Sequence, residues 1–376
     1  MVNVRSRGRA IAVALSCGGV CGLASAQEYQ VVSAGPASWV SSRAFGINDR
    51  GLVVGGGLNS SAQSRAFAFS LQDGARMLPT DVSVAYAAQN DGTIIAQGLG
   101  SRSYIVTGTT LTPIPGLDGT FTNVFAFDIN AAGVIVGSGR EDNPPVETRA
   151  FSWDQTSTPV PLGTLGGLNS IAYGINDAGQ IVGTSLDGAS LPLPFLYGSG
   201  VLTDLSAGEG GAAYAINSFG QIAGNIGGEA FIRTGGTNQL LGSLGAEIES
   251  NAWAINDAGV AVGESDGRAF VYRAGTLVDL NTVIPANSGW VLEAARGINN
   301  YGEIAGIGRQ GGRTRAFLLL PTCRADYNQD GQADFFDYLD FAIAFADEGP
   351  RADFNRDDQV DFFDFLDFVA ELARCG

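Results

Sequence analysis

Two stretches near the end of the chain carry oxygen-bearing side chains at the spacing of a calcium loop. The first runs Asp326, Asn328, Asp330, Gly331, Gln332, Asp334 and Asp337. The second runs Asp353, Asn355, Asp357, Asp358, Gln359, Asp361 and Asp364, 27 positions later. A twelve-residue EF-type loop surrounds its ion with side chains at positions 1, 3 and 5, a backbone carbonyl at 7, position 9 and a carboxylate at 12. It favours glycine at position 6 for a sharp turn. Both copies fill every ligand position, so the sequence predicts two bound calcium ions. Position 6 separates them, with Gly331 in the first copy and Asp358 in the second. A non-glycine residue there costs about 1 kcal/mol, which makes the second site the weaker. Both loops end in Asp rather than Glu, which predicts a smaller and less calcium-selective site. The alternative is an acidic solvated tail without metal.

These loops need elements to hold them. Each is followed by a helix-compatible run, 336–345 and 363–372, with aromatics and leucines three and four apart. Residues 323–376 hold 14 acids against 4 arginines, a net charge of −10 within a chain total of −17. Two calcium ions would offset about +4 of it. Cys323 and Cys375 stand at the two ends of this segment and would pair in an oxidising compartment; two free thiols are the alternative. Phe335–Phe336 and Phe362–Phe363 follow the ninth position of each loop. So small a unit cannot bury all its rings, which predicts an apolar docking face or packing against the rest of the chain.

The remainder of the 376 residues bounds the function. A hydrophobic content of 45% with 16% charged residues is that of a folded protein, and 54 glycines point to many short strands joined by tight turns. All 21 basic residues are arginine and histidine is absent. Chemistry that needs a histidine base or a lysine Schiff base is thereby excluded. An acidic chain without basic clusters argues against a nucleic-acid partner. Arg5, Arg7 and Arg9, the apolar stretch 10–23 and Ala24-Ser25-Ala26 read as a signal peptide over 1–26, so Cys17 and Cys21 leave with it. A lipoprotein attachment at Cys17 is the alternative. No other segment is a candidate transmembrane span.

Between leader and tail the chain repeats. A strand-turn-strand unit, seen as Ala44-Phe45-Gly46-Ile47-Asn48-Asp49-Arg50-Gly51-Leu52-Val53-Val54-Gly55, recurs seven times. Its marker residues are Asn48, Gln89, Asn130, Asn176, Asn217, Asn256 and Asn299, spaced by 41, 41, 46, 41, 39 and 43. A third run ends in an aromatic ring, as in Arg65-Ala66-Phe67, Arg102-Ser103-Tyr104 and Arg315-Ala316-Phe317, and most copies carry a fourth. Four strands in about 42 residues is one propeller blade, which predicts an all-β, seven-bladed β-propeller over 27–320 and a small α-helical calcium-binding domain over 321–376. The last copy lacks its fourth strand, and Tyr29-Gln30-Val31-Val32-Ser33 stands unpaired at the start, in phase to supply it. The repeated Asn-x-x-Gly is turn chemistry, the repeated Phe is expected to pack between blades, and the arginines preceding it lie between blades or in solvent rather than in an anion-binding rim.

The repeats resemble the extracellular HAF-repeat family, through the Ile-Asn-x-x-Gly turns, the x-Ala-Phe runs and Leu162-Gly163-Thr164-Leu165-Gly166-Gly167. Here Arg, Glu or Pro replaces the family's histidine. The resemblance implies an exported repeat protein and no particular activity. The tail is similar to type I dockerin-like domains of the variety ending in Gly/Cys, through Asp334 to Phe341 and Asp361 to Phe368. That resemblance implies that Phe335, Phe336, Phe362 and Phe363 contact a cohesin-like or surface-anchoring partner. The combined reading is a secreted or cell-surface, non-catalytic propeller tethered by its calcium-binding tail, with carbohydrate as a candidate ligand. The alternative is a polysaccharide-active hydrolase or lyase on the same tail, for which Asp204, Glu209, Glu247 and Glu249 are the acids to test.

Overall fold

The computed structural model describes residues 28–117, 121, 123–141, 146–246, 249–357 and 359–375. The leader 1–26 with Cys17 and Cys21, Glu247 and Asp358 lie outside the described residues.

From Tyr29 to Pro321 the regular structure is strand apart from one short 3-10 turn, arranged in three four-stranded and two eight-stranded sheets. The eight-stranded sheets are each two four-stranded units touching through one residue pair, Gly56 with Val84 and Thr148 with Asn169. The strand Tyr29–Ser33 runs antiparallel to Arg313–Pro321, with Tyr29 opposite Pro321 and Ser33 opposite Phe317. It fills the fourth place of the last sheet, beside Ile304–Gln310 and Trp290–Ile298, as the phase of the repeats predicts. An open sheet edge is removed at the point where the body ends.

The marker asparagines explain both the turns and their arrangement. Asn48 accepts the N–H of Arg50 (3.1 Å) and of Leu52 (2.8 Å) on Oδ1, which closes its own turn, and Gly51 completes it at φ +73°. The Nδ2 of the same residue donates to the carbonyl of Gln89 in the next repeat, at 2.7 Å. Gln89 donates onward to Asn130 O, Asn130 to Asn176 O (3.1 Å), Asn176 to Asn217 O (3.1 Å) and Asn217 to Asn256 O (2.9 Å). Asn256 donates to Asn299 O (3.1 Å), and Asn299 returns to Asn48 O (3.0 Å). Seven side chains thus close a ring of hydrogen bonds. Local turn chemistry accounts for the Asn; the link to the next repeat is a second demand that the turn pattern does not reveal.

The packing between sheets rests on the repeated rings. Phe67, Phe151, Phe195, Phe231, Phe270 and Phe317 have no exposed surface. Each faces a glycine on the neighbouring strand, such as Gly224 opposite Phe231 and Gly306 opposite Phe317. A Cβ on Gly306 would come within 2.5 Å of the Phe317 ring. In the second repeat Tyr104 takes the ring position and faces Ala96. Two of the arginines before these runs reach neighbouring repeats, Arg315 donating to Trp39 O (2.8 Å) and Arg268 to Leu244 O (2.7 Å), whereas Arg65 bonds Ser64 and Gln63 in its own hairpin.

The tail is a small separate core. Helix α1 spans Phe335–Ala346 and helix α2 spans Phe362–Cys375, with a short 3-10 turn, Pro350–Ala352, between them. Ala325, Tyr327, Phe341, Phe354 and Phe368 form its core, and Phe341 stacks on Phe368 with centroids 4.0 Å apart. The two loops exchange arginines across a pseudo-twofold relation. Arg324, two residues before loop one, lies over the ring of Phe354 in loop two and donates to its carbonyl; Arg351, two before loop two, does the same to Tyr327 in loop one. Cys323 and Cys375 form a disulfide, with Cα atoms 5.8 Å apart. Among the described residues, no helix is long and apolar enough to cross a membrane.

Candidate functional site

In loop one the backbone wraps around the acids. Asp326 Oδ2 accepts the N–H of Gly331 (3.0 Å), Asn328 Oδ1 that of Asp330 (2.9 Å) and Asp330 Oδ1 that of Gln332 (2.9 Å). The other oxygen of Asp326, Oδ1, is buried with no partner. Burial, reinforced by the nearby Asp337 and Asp330, pushes the Asp326 carboxyl up to about 7. A carboxylate held in this way is stabilised by any cation that reaches it.

The ninth and twelfth positions have structural duties as well. Asp334 caps α1 by accepting the N–H of Phe336 (2.8 Å), and Asp361 accepts that of Phe363 (2.8 Å) at the start of α2. Asp337 is fully buried and accepts from Asn328 N (3.0 Å) and Asp334 N (2.7 Å), tying loop to helix. Asp364 makes the matching bonds with Asn355 N (3.0 Å) and Asp361 N (2.8 Å). A carboxylate oxygen has two lone pairs, so these bonds leave acceptor capacity. Among the described residues the loop carboxylates do not gather three at a time within 4.8 Å. The donor set is all oxygen, from carboxylates, Asn amides and the carbonyls of Gln332 and Gln359, which suits a hard divalent cation.

Loop two differs in the decisive atom. Asp353 Oδ1 accepts the N–H of Asp357 (3.0 Å), as Asn355 does (2.9 Å), and Asp357 accepts from Gln359 N (3.0 Å). Among the described residues, loop two has no buried carboxylate oxygen left without a partner.

Both loops rest on the body. Gln329 Nε2 donates to Asn300 O (2.9 Å), and its Oε1 accepts from Asn256 Nδ2 (2.7 Å). Arg356 pairs with Glu303 at 3.0 Å and lies 4.0 Å from the ring centroid of Tyr301, whose hydroxyl donates to Asp353 O (3.3 Å). A 1070 Å³ cleft remains between this seat and the rest of the face, with Phe219 at its edge. Phe335, Phe336, Phe362 and Phe363 are each about two-thirds exposed, so they belong neither to the tail's core nor to a contact with the body.

The channel side of the ring holds a feature that the sequence reading missed. In every innermost strand the ladder slips by one residue, three positions before the marker. The skipped residues are Phe45, Tyr86, Phe127, Tyr173, Tyr214, Trp253 and Arg296, each preceded by a fully buried alanine. A bulge takes its residue out of the alternation and re-aims the side chain. The first six rings touch in turn around the axis, with centroids 5.7, 5.4, 5.6, 5.5 and 4.2 Å apart. Arg296 continues the collar, 4.0 Å over Trp253, with Glu264 at 3.3 Å balancing its charge. Burial raises the phenols of Tyr86 and Tyr173 and takes that of Tyr214 to about 12. The signal was an alanine-aromatic pair in fixed phase before six of the seven markers, with Ala295-Arg296 before the last.

Of the acids considered for catalysis, Asp204 is engaged locally. Asp204 accepts the N–H groups of Ser206 (2.8 Å) and Gly208 (3.0 Å) in its own turn. The backbone carbonyl of Glu249 accepts from the Ser265 hydroxyl. One acid that breaks the repeat escaped the sequence reading: Asp128 stands where other inner strands carry Gly or Ala. It accepts from Ile129 N (2.9 Å) and from Ile175 N (3.0 Å) in the next repeat, and burial pushes it up to about 6.

Comparison with known proteins places these features. A family model described as "Protein of unknown function (DUF3466)" matches residues 33–190. No curated protein matches the chain. Among solved structures, the chain is similar to Pyrococcus horikoshii acylaminoacyl peptidase, at 13% identity and a TM-score of 0.50 over 76% of this chain and 52% of that one. It is also similar to a gluconolactonase from Xanthomonas campestris, at 9% identity and a TM-score of 0.46 over 80% and 93%. A third likeness is the WD40 β-propeller domain of Doa1, at 15% identity and a TM-score of 0.45 over 77% and 93%. These likenesses concern the fold alone, and the body of this chain is mostly β.

Proposed function

We propose that this chain is an exported, non-catalytic, seven-bladed β-propeller of the HAF-repeat kind, tethered to a cell-surface or extracellular assembly by a calcium-dependent, dockerin-like tail. The observation that carries the reading is the buried and unpartnered Asp326 Oδ1, at the first position of a loop whose oxygen-bearing pattern occurs twice. In loop one the ion would be held by Asp326, Asn328, Asp330, the carbonyl of Gln332, Asp334 and Asp337. In loop two the set would be Asp353, Asn355, Asp357, the carbonyl of Gln359, Asp361 and Asp364. Bound calcium supplies the positive charge that these acids otherwise lack.

The tethering role draws on the four exposed phenylalanines at the starts of α1 and α2. With Leu339 and Ile343 on α1 and Leu366 on α2 they leave each helix with an exposed apolar face, the kind of surface that a protein partner covers. Export draws on the leader pattern and on the Cys323–Cys375 disulfide, which belongs to an oxidising compartment.

The test is titration calorimetry of the full chain with calcium chloride, repeated on Asp326→Ala. Binding in the natural chain that the substitution weakens by at least tenfold supports the reading. A natural chain that takes up no calcium overturns it.

A further inference from the structure

The two loops touch the propeller through the same loop position. Gln329 and Arg356 are each the fourth residue of their loop, so each stands between the ligand positions 3 and 5. Each also takes a left-handed backbone, at φ +60° and +63°. That conformation costs an ordinary residue about 1 kcal/mol, and here it occurs in register twice. Both side chains reach the propeller at one turn, 299–302. Gln329 is almost fully buried between Asn256 and the Asn300 carbonyl, and Arg356 is clamped by Glu303 and the face of Tyr301.

We propose that the propeller is part of the ion site: the turn 299–302, with Asn256 and Glu303 beside it, acts as a template that fixes the fourth residue of each loop and thereby sets positions 3 and 5 for the cation. This rests on the calcium reading above and adds residues that no loop pattern contains. The ring also gains a purpose at this place, because Asn256 serves the ring and the loop with a single amide. Binding and seating are then linked, and whatever factor seating adds to ion affinity, the ion adds to seating.

Two substitutions on opposite sides of the contact test this in the full chain with calcium chloride. Gln329→Asn keeps a residue that tolerates the left-handed backbone but is too short to span the gap. Tyr301→Ala removes the stack under Arg356 and the hydroxyl bonded to Asp353 O, without altering a loop residue. Each is expected to weaken calcium binding about tenfold in calorimetry. Hydrogen exchange in 299–302 is expected to be slowed by calcium in the natural chain and to lose that response in both variants. Affinities within twofold of the natural chain in both variants overturn the inference and leave the proposed function standing. A natural chain that takes up no calcium sinks both.

Discussion

Asn256 Nδ2 donates to Gln329 Oε1 at 2.7 Å, across 73 positions of sequence. The same nitrogen donates to Asn299 O at 3.1 Å. One buried amide therefore belongs at once to the hydrogen-bonded ring and to the first calcium-type loop, and so links the two parts of the molecule.

The loops are expected to differ in strength. Among the described residues, only loop one holds a buried carboxylate oxygen without a partner, and of the two loops only loop one has glycine at position 6. Calorimetry should resolve two sites of unequal affinity. Asp326→Ala should abolish the tighter one and Asp353→Ala the weaker one. The reverse order would contradict the assignment.

The ring should be sensitive at a single amide. Asn217 accepts from Phe219 N and Gln221 N and donates to Asn256 O, so Asn217→Ala strands buried groups in two repeats. A loss of about 2–4 kcal/mol is expected from urea unfolding. A loss below 0.5 kcal/mol would show that the ring is incidental.

Asp128 should make stability depend on pH. Its carboxyl titrates near 6 in the folded chain against 3.8 as the ordinary value. Between these values the native state keeps a proton that the unfolded state has lost. Stability contributed by this group is therefore present below about pH 4, falls as pH rises towards 6 and stays low above it. Asp128→Asn should reduce the difference between pH 4 and pH 7 by about 1–3 kcal/mol, measured as urea midpoints at both values. An unchanged difference would place the proton elsewhere.

The four phenylalanines at the helix starts should be dispensable for folding. They are about two-thirds exposed, so replacing Phe335, Phe336, Phe362 and Phe363 by Ser should move the unfolding midpoint of the full chain little, by under about 1 kcal/mol for the set. A collapse of the tail on these substitutions would mean that they serve its core.

The closing strand should not be dispensable. Without Tyr29–Ser33, the strand Arg313–Pro321 presents an unpaired edge. Light scattering should detect self-association of the shortened chain. A monomer with an unchanged melting temperature would count against strand donation as the ring's closure.

Much of this architecture was legible because it is written in local, repeated patterns. The Asn-x-x-Gly turns set the repeat and its phase, and the phase alone placed Tyr29–Ser33 against the last repeat. The calcium-type loops have fixed internal spacing, so their residues could be named one by one. What escaped depends on contacts between distant positions. Gln329 and Arg356 occupy loop positions that carry no ligand, so nothing local marked them as the seat. The collar from Phe45 to Arg296 lies at bulges, where the two-residue alternation that identifies strand faces fails. Asp128 looked like one acid among many, because its burial follows from packing of the next repeat against it.

The pairing of Tyr29–Ser33 with Arg313–Pro321 also dictates an order of assembly. In a chain made from its first residue onward, that strand is the earliest to exist and the last to meet its partner. The intervening sheets can form from neighbouring sequence, whereas the final one needs both ends of the body together. The final sheet therefore depends on one non-local pairing, the kind of contact that slows folding far more than it taxes stability. The tail follows directly, with Thr322 N bonded to Glu28 O at 2.8 Å.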